Sequence, residues 1–244
     1  MNKISALIYG IIGILLFNAT SFYFIGFVGD FVVPKTIDSG VVVPFVQALT
    51  IDIVLIALFG LQHSVMARLR FKQWWLKIIP EAIERSTYVL CSSLFLILLC
   101  WQWQPLPGII WQVENLIGYW LLLGLFWFGW LFSFFASALI DPLELMGLRQ
   151  TYNYLRDEPY TPVPFQVVSV YKYIRHPIML GTIIGLWAIP LMSVGHLILA
   201  LGFTIYIFIG IYFEEKDMIA VHGEIYKKYH RETSMIIPTK LRVS

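Results

Sequence analysis

Arg175-His176-Pro177 stands at the head of a long uncharged run, and its residue types suggest an anion site. Proline is favoured in the first turn of a helix. A helix beginning at Pro177 turns its free N–H groups and the positive end of its dipole towards Arg175, where a carboxylate or phosphate would be held. The same tripeptide also suits a snorkelling arginine and a capping histidine at a membrane boundary. At the far end of the run stand Glu214, Glu215 and Asp217. Three acids near the negative end of a helix oppose its dipole, so a cation should compensate them. If the two helices joined within this run are antiparallel neighbours, Glu214 and Glu215 come beside Arg175 and His176. Either a salt bridge or a bound cationic ligand satisfies that arrangement.

Other polar side chains fall within apolar stretches, where ionisable groups are costly. These are Asn18, Asp52, His63 and His196. Asp52 and His63 share a helical face but lie about 16 Å apart along the axis, too far for a direct dyad. Asp52 reads as a helix-start or interhelix hydrogen bond, His196 as a local cap, and His63 as either a satisfied core histidine or a proton acceptor. Asp141-Pro142-Leu143-Glu144 has the form of a helix start, with an N-cap, a proline and a third-position acid. Arg149, in Gly147-Leu148-Arg149-Gln150, brings a cation to the same face. Residues 157–162 read as a loop. The segment from His222 to Tyr229 reads as a short amphipathic helix able to act as a lid.

The elements that must position these groups are membrane helices. The chain has 244 residues, 59% hydrophobic and only 13% charged, which excludes disorder and argues against a water-soluble globule. Uncharged runs cover 4–29, 86–113, 115–140 and 176–213, and only Asp52 interrupts 39–67. Each is longer than the roughly 20 residues that span a bilayer. The last run, as one straight helix, would reach about 57 Å. It must turn back, and Pro190 with Ser193-Val194-Gly195-His196 supplies the break, giving spans of 178–192 and 197–213. The first run is too long for a secretory signal and reads as a retained span. The expectation is an all-α polytopic membrane bundle of six spans forming one domain, 1–244. Within it, 1–140 carries four spans and 141–244 the hairpin and tail.

Six spans with a cytoplasmic amino terminus place sixteen of the 17 Lys and Arg residues on the cytoplasmic side, leaving only Lys35 outside. Both termini are then cytoplasmic. Residues 71–79 interleave aromatics with cations and read as a helix lying in the headgroup layer. Cys91 and Cys100 fall inside one span without Cys-x-x-Cys spacing, so a disulfide scaffold is excluded. A net charge of +2 gives no reason to expect nucleic acid. Gly-rich dinucleotide loops, a P-loop, a Gly-x-Ser-x-Gly elbow and a His-Glu-x-x-His metal site are all missing.

Taken together, Tyr171-x-x-x-Arg175-His176-Pro177 with Gly181, the Glu214-Glu215 pair, Tyr226-x-x-Tyr229 and Ile237-Pro238 resemble the isoprenylcysteine carboxyl methyltransferase superfamily of integral-membrane methyltransferases. Further phrases are similar to the bacterial methanethiol S-methyltransferases: Gly60-Leu61-Gln62-His63-Ser64, Glu84-Arg85-Ser86-Thr87-Tyr88, Trp101-Gln102-Trp103-Gln104-Pro105, Gly147-Leu148-Arg149-Gln150, Arg175-His176-Pro177-Ile178-Met179-Leu180-Gly181 and Val194-Gly195-His196-Leu197. With them the resemblance spans nearly the whole chain. It departs at residues 141–146, where the family pattern has a histidine and phenylalanines around an aspartate.

The resemblance implies transfer of a methyl group from S-adenosylmethionine to methanethiol, giving dimethyl sulfide, with hydrogen sulfide as a related acceptor. It implies a bacterial cytoplasmic membrane location, and it puts Tyr171, Arg175, His176, Leu180, Gly181, Glu214 and Glu215 in the cofactor-binding region. Thiolate and sulfonium lose charge on the way to the transition state, which a dry site favours. A thiol with a reference pKa of about 8.5 is mostly protonated at neutral pH, so a base is expected. His63 is the candidate acceptor of that proton, with Asp141 and Arg149 orienting the site. Rival readings are methylation of another lipophilic thiol or of an isoprenylcysteine carboxylate. A third is a non-catalytic membrane protein like the nurim-type or nitrite-reduction-associated relatives.

Overall fold

The computed structural model describes residues 1–161 and 164–239. Pro162 of the expected loop, and Lys240 and Arg242 of the cytoplasmic tail, lie outside them. Helices dominate, and among the described residues five are long and apolar enough to cross a membrane. Among these residues the bundle is all-α apart from one small pair of strands.

The first of these helices, α1 (Lys3–Gly29), is started by the Asn2 side chain, which accepts from Ile4 N–H at 2.8 Å, and ends at Asp30 in the left-handed region. Next come α2 (Phe45–Ala67), the short α3 (Leu69–Trp75) in the basic aromatic segment, and α4 (Glu81–Gln102). The last begins five residues before the uncharged run because Glu81 and Glu84 favour a helix amino terminus. It ends before Pro105 and Pro107. After β1 (Ile109–Gln112), α5 (Leu116–Leu139) is capped by Asn115, whose side chain accepts from Gly118 N–H at 2.7 Å. Two short helices follow, α6 (Pro142–Leu145) and α7 (Leu148–Arg156).

The expected hairpin of 178–192 and 197–213 has different bounds. Its first arm, α8 (Pro177–Trp187), has 11 residues, about 16 Å of helix and about half a hydrocarbon core. Pro190 disfavours helix at the residue before it, and β2 (Leu191–Ser193) pairs with β1 in its place. Its second arm, α9 (Val194–His222), runs 29 residues, about two turns beyond the acids expected to end it. Glutamate is a good helix former, so the acids do not stop it. Last comes α10 (Glu224–Glu232), entered through Gly223 at a φ of 58° and a ψ of −130° that glycine tolerates best.

The chain divides into two compact units. One comprises Met1–Gly108, Asp141–Val163 and Ser193–Leu199; the other comprises Ile109–Ile140, Pro164–Met192 and Ala200–Ser244. In the first, α4 packs against α1, α2 and α7. The turn at Gly147, with φ 85°, lies so close to α4 that a Cβ there would be 2.5 Å from Ser86 N. Ser86 Oγ donates to Gly147 O across the same contact. Residues 141–156 therefore belong with the first three long helices. In the second unit α5 lies along α8. A Cβ at Gly129 would meet Gly185 N at 2.5 Å, and one at Gly181 would meet Gly129 O at 2.5 Å. Small residues let these two backbones touch, as they do between membrane helices generally.

Candidate functional site

In the second unit the site is built around the entry to α8. Ile174 bridges to Ser234 in parallel fashion, Arg175 N–H donates to Ser234 O at 2.8 Å and His176 N–H to Met235 O at 3.1 Å. The strand-like segment before α8 is thereby zipped to the chain leaving α10. Arg175 lies beneath that zipper, 7% exposed, and points at Glu215 on α9, which is 8% exposed. Its Nε donates to Glu215 Oε1 at 2.7 Å, and its Nη1 donates to the carbonyls of His230 (2.9 Å) and Thr233.

Glu215 collects two further contacts. His176 Nε2 is 3.0 Å from its Oε1, and His230 Nε2 is 3.0 Å from its Oε2. An ionised carboxylate only accepts, so both imidazoles present N–H at Nε2. Three donors around one buried acid make Glu215 the hub joining α9, the α8 entry and α10. Glu214 is different. Its side chain is 46% exposed and its carboxylate lies 3.8 Å from His176 Nδ1. The α8 entry itself carries no side-chain cap.

Tyrosines close the floor of this site. Tyr229 O–H donates to Tyr171 O at 2.7 Å, and Tyr171 O–H to Ala136 O at 3.2 Å. Burial pushes the Tyr171 and Tyr226 phenols above their ordinary range, so both stay neutral. Phe165 sits among the rings of His222, Tyr226 and Tyr229. Leu180 lies on the α8 face that packs with Ile207, Ile211 and Ile236. Gly181 is spent on the close approach to α5.

The first unit holds the other expected residues. His63 Nε2 is 2.7 Å from Tyr88 Oη and its Nδ1 is 3.0 Å from Ser92 Oγ. Its ring also stacks on Phe59. Arg85 lies 5.0 Å over the Tyr88 ring and donates from Nε to Leu145 O at 2.8 Å. Asp141 caps α6, accepting from Leu143 and Glu144 N–H at 3.0 and 3.1 Å, and pairs with Arg149 Nη1 at 2.5 Å. Beside them Glu144 Oε1 accepts from Gln150 and from Tyr160. Burial, chiefly, pushes the Tyr160 phenol up to about 12.

Of the remaining intramembrane groups, Asp52 is fully buried seven residues into α2 and accepts from Gln104 N–H at 2.9 Å, a tie to the segment that follows α4, neither a helix start nor a bond between two helices. Asn18 donates back to Ile14 O. At His196 the N–H donates to Ser193 Oγ, which makes Ser193 the capping side chain there. His230, Tyr88, Ser92 and Arg85 had no place in the sequence reading of the sites. Each meets its partner across separate helices, which leaves no local spacing to find.

No family model matches the chain, and no solved structure matches it. Curated relatives do. A methanethiol S-methyltransferase of Mycobacterium tuberculosis is 46% identical over 238 residues, covering 98% of this chain and 98% of that protein. Methanethiol S-methyltransferase 1 of Bradyrhizobium diazoefficiens is 47% identical over 241 residues, covering 99% of this chain and 85% of the relative. Nurim of Xenopus laevis is 34% identical over 187 residues, 73% of this chain and 65% of that protein. Identity of this order along nearly the full length of both partners leaves one conclusion: this polytopic, all-helical membrane protein belongs to the methanethiol S-methyltransferase family.

Proposed function

We propose that the chain is a bacterial cytoplasmic-membrane enzyme that transfers the methyl group of S-adenosylmethionine to methanethiol, forming dimethyl sulfide. The observation that carries this is the full-length relationship to proteins named for that reaction. Sixteen of the 17 Lys and Arg residues support an orientation with both termini in the cytoplasm.

The donor set at the α8 entry fits the amino-acid end of the cofactor, which is a zwitterion. An entry without a side-chain cap offers N–H groups to a carboxylate. Glu214, half-exposed and 3.8 Å from His176 Nδ1, offers acceptors to an ammonium or a ribose hydroxyl. Bound there, S-adenosylmethionine supplies an electrophilic methyl on a sulfonium. Arg175 and Glu215 have a different part in this reading. Their charges neutralise each other, and together with His176 and His230 they hold the entry in shape. Tyr171 supports the same frame through Tyr229, and Leu180 and Gly181 fix α8 against its neighbours.

His63 is the base in this reading, receiving the proton that the thiol gives up either directly or through an intervening group. Asp141 and Arg149 hold the turn whose Leu145 carbonyl fixes Arg85 over Tyr88, and so act on His63 at one remove. The test is a headspace assay of purified protein with S-adenosylmethionine and a panel of thiols. Dimethyl sulfide from methanethiol, with long-chain lipophilic thiols unreactive, is the expected result. Activity confined to an isoprenylcysteine acceptor overturns the substrate assignment. Failure to bind S-adenosylmethionine in calorimetry favours the non-catalytic alternative.

A further inference from the structure

His63 has hydroxyls at both ring nitrogens, and the proton count decides which nitrogen is basic. Ser92 has one hydroxyl proton, and its Oγ lies 2.9 Å from the carbonyl of Tyr88 one turn back on α4. This is the usual back-bond of serine inside a membrane helix. With its proton there, Ser92 can only accept from a neighbour, and Gln62 Nε2 also approaches it as a donor at 3.5 Å. The contact at 3.0 Å is then His63 Nδ1–H donating to Ser92 Oγ. A neutral imidazole with its proton on Nδ1 has its lone pair on Nε2. At 2.7 Å from Nε2 is the Tyr88 hydroxyl, which must be the donor.

We infer that Tyr88 is the group that takes the thiol proton and passes its own to His63, with Ser92 as the positioning residue that keeps His63 Nε2 basic. The inference rests on the methyl-transfer reading above and deepens it. In the step, the thiol S–H bond breaks and its proton forms an O–H bond on the Tyr88 oxygen. The proton already on Tyr88 forms the N–H bond at His63 Nε2, giving an imidazolium. The electron pair left on the thiol sulfur becomes the new S–CH3 bond, and the pair of the broken sulfonium C–S bond stays with the donor sulfur. The imidazolium later returns its proton by the same route to water.

Three features of the geometry suit this role. A hydroxyl can donate and accept, so the Tyr88 contact survives protonation of His63 with the roles reversed. The Nδ1–H bond to Ser92 is the same in both states. The Arg85 guanidinium, 5.0 Å over the Tyr88 ring and anchored on Leu145 O, packs on that ring and so helps to hold its hydroxyl against His63.

The test has a spectroscopic and a kinetic arm. In 15N-histidine NMR of the full-length solubilised protein, with the His63 signals assigned by loss in His63→Gln, the neutral ring is expected to carry its proton on Nδ1. In Ser92→Ala that preference is lost. A neutral ring protonated on Nε2 in the wild type overturns the inference, and this reading needs no variant to fold beyond the one used for assignment. In the kinetic arm, Tyr88→Phe lowers kcat for methanethiol by about 10²-fold with KM unchanged, the scale of general acid–base catalysis. With an aromatic thiol that is already ionised at neutral pH, the same variant loses less than about threefold, because no proton has to be removed. Equal losses on both thiols mean a packing role only and overturn the relay, as does full activity of Tyr88→Phe. If the wild type methylates neither thiol, the failure belongs to the proposed function. If His63→Gln is inactive while Tyr88→Phe is not, the failure belongs to the relay.

Discussion

Arg175 Nε donates to Glu215 Oε1 at 2.7 Å between two side chains that water barely reaches. A buried pair of this kind contributes little net stability relative to an apolar replacement, but removing one partner strands the other charge. Arg175→Met should therefore cost about 3–5 kcal/mol, leaving Glu215 with only the two imidazoles. Glu215→Gln should cost a similar amount. Thermal unfolding in detergent reads both. The double variant Arg175→Met with Glu215→Leu should recover part of the loss, and additive losses would show that the pair is not coupled.

Glu214, next in sequence to the hub, should behave in the opposite way. Its side chain is half-exposed and lies 3.8 Å from His176 Nδ1. Glu214→Gln should change stability by less than about 1 kcal/mol. Calorimetric affinity for S-adenosylmethionine should fall about tenfold, the scale of one lost charge-assisted hydrogen bond. Unchanged affinity would remove Glu214 from the cofactor site.

Gly181 is a packing position. A Cβ there meets the Gly129 carbonyl at 2.5 Å and Ser133 N at 2.7 Å, both backbone atoms that cannot swing aside. Gly181→Ala should destabilise by about 1–3 kcal/mol by forcing α5 and α8 apart. Gly210→Ala on α9, with nothing within 4 Å of the added carbon, is the control and should be neutral or slightly stabilising. Equal effects at the two positions would contradict the packing role.

His63→Gln separates chemistry from cofactor binding. It should lower turnover with methanethiol at saturating S-adenosylmethionine by about 10²-fold or more. Calorimetric affinity for the cofactor should stay the same, since Arg175, His176 and Glu214 are untouched. Unchanged turnover would exclude His63 as the base.

The membrane helices were legible because a bilayer imposes its thickness on sequence as uncharged length, and the turn within 176–213 followed from that length alone. The meeting of Glu215 with Arg175 was legible too, since unpaired acids at membrane depth require a cation. The ends of α8 and α9 were not. Nothing in the run of apolar residues marks where strand pairing at Leu191–Ser193 displaces helix, and the acids at 214 and 215 do not stop a helix whose charge is met from another element. Arg175 looked like a ligand-binding cation from its position, but its bonding capacity goes largely to Glu215 and two carbonyls. Tyr88 and His63 are 25 positions apart on different helices, and only packing brings them together.

Purified protein given methanethiol and S-adenosylmethionine carrying a deuterated methyl group tests the central claim most directly, with the headspace gas read by mass spectrometry. Dimethyl sulfide containing one deuterated and one ordinary methyl group is the result this account requires. No labelled dimethyl sulfide from protein that demonstrably binds the cofactor would contradict it.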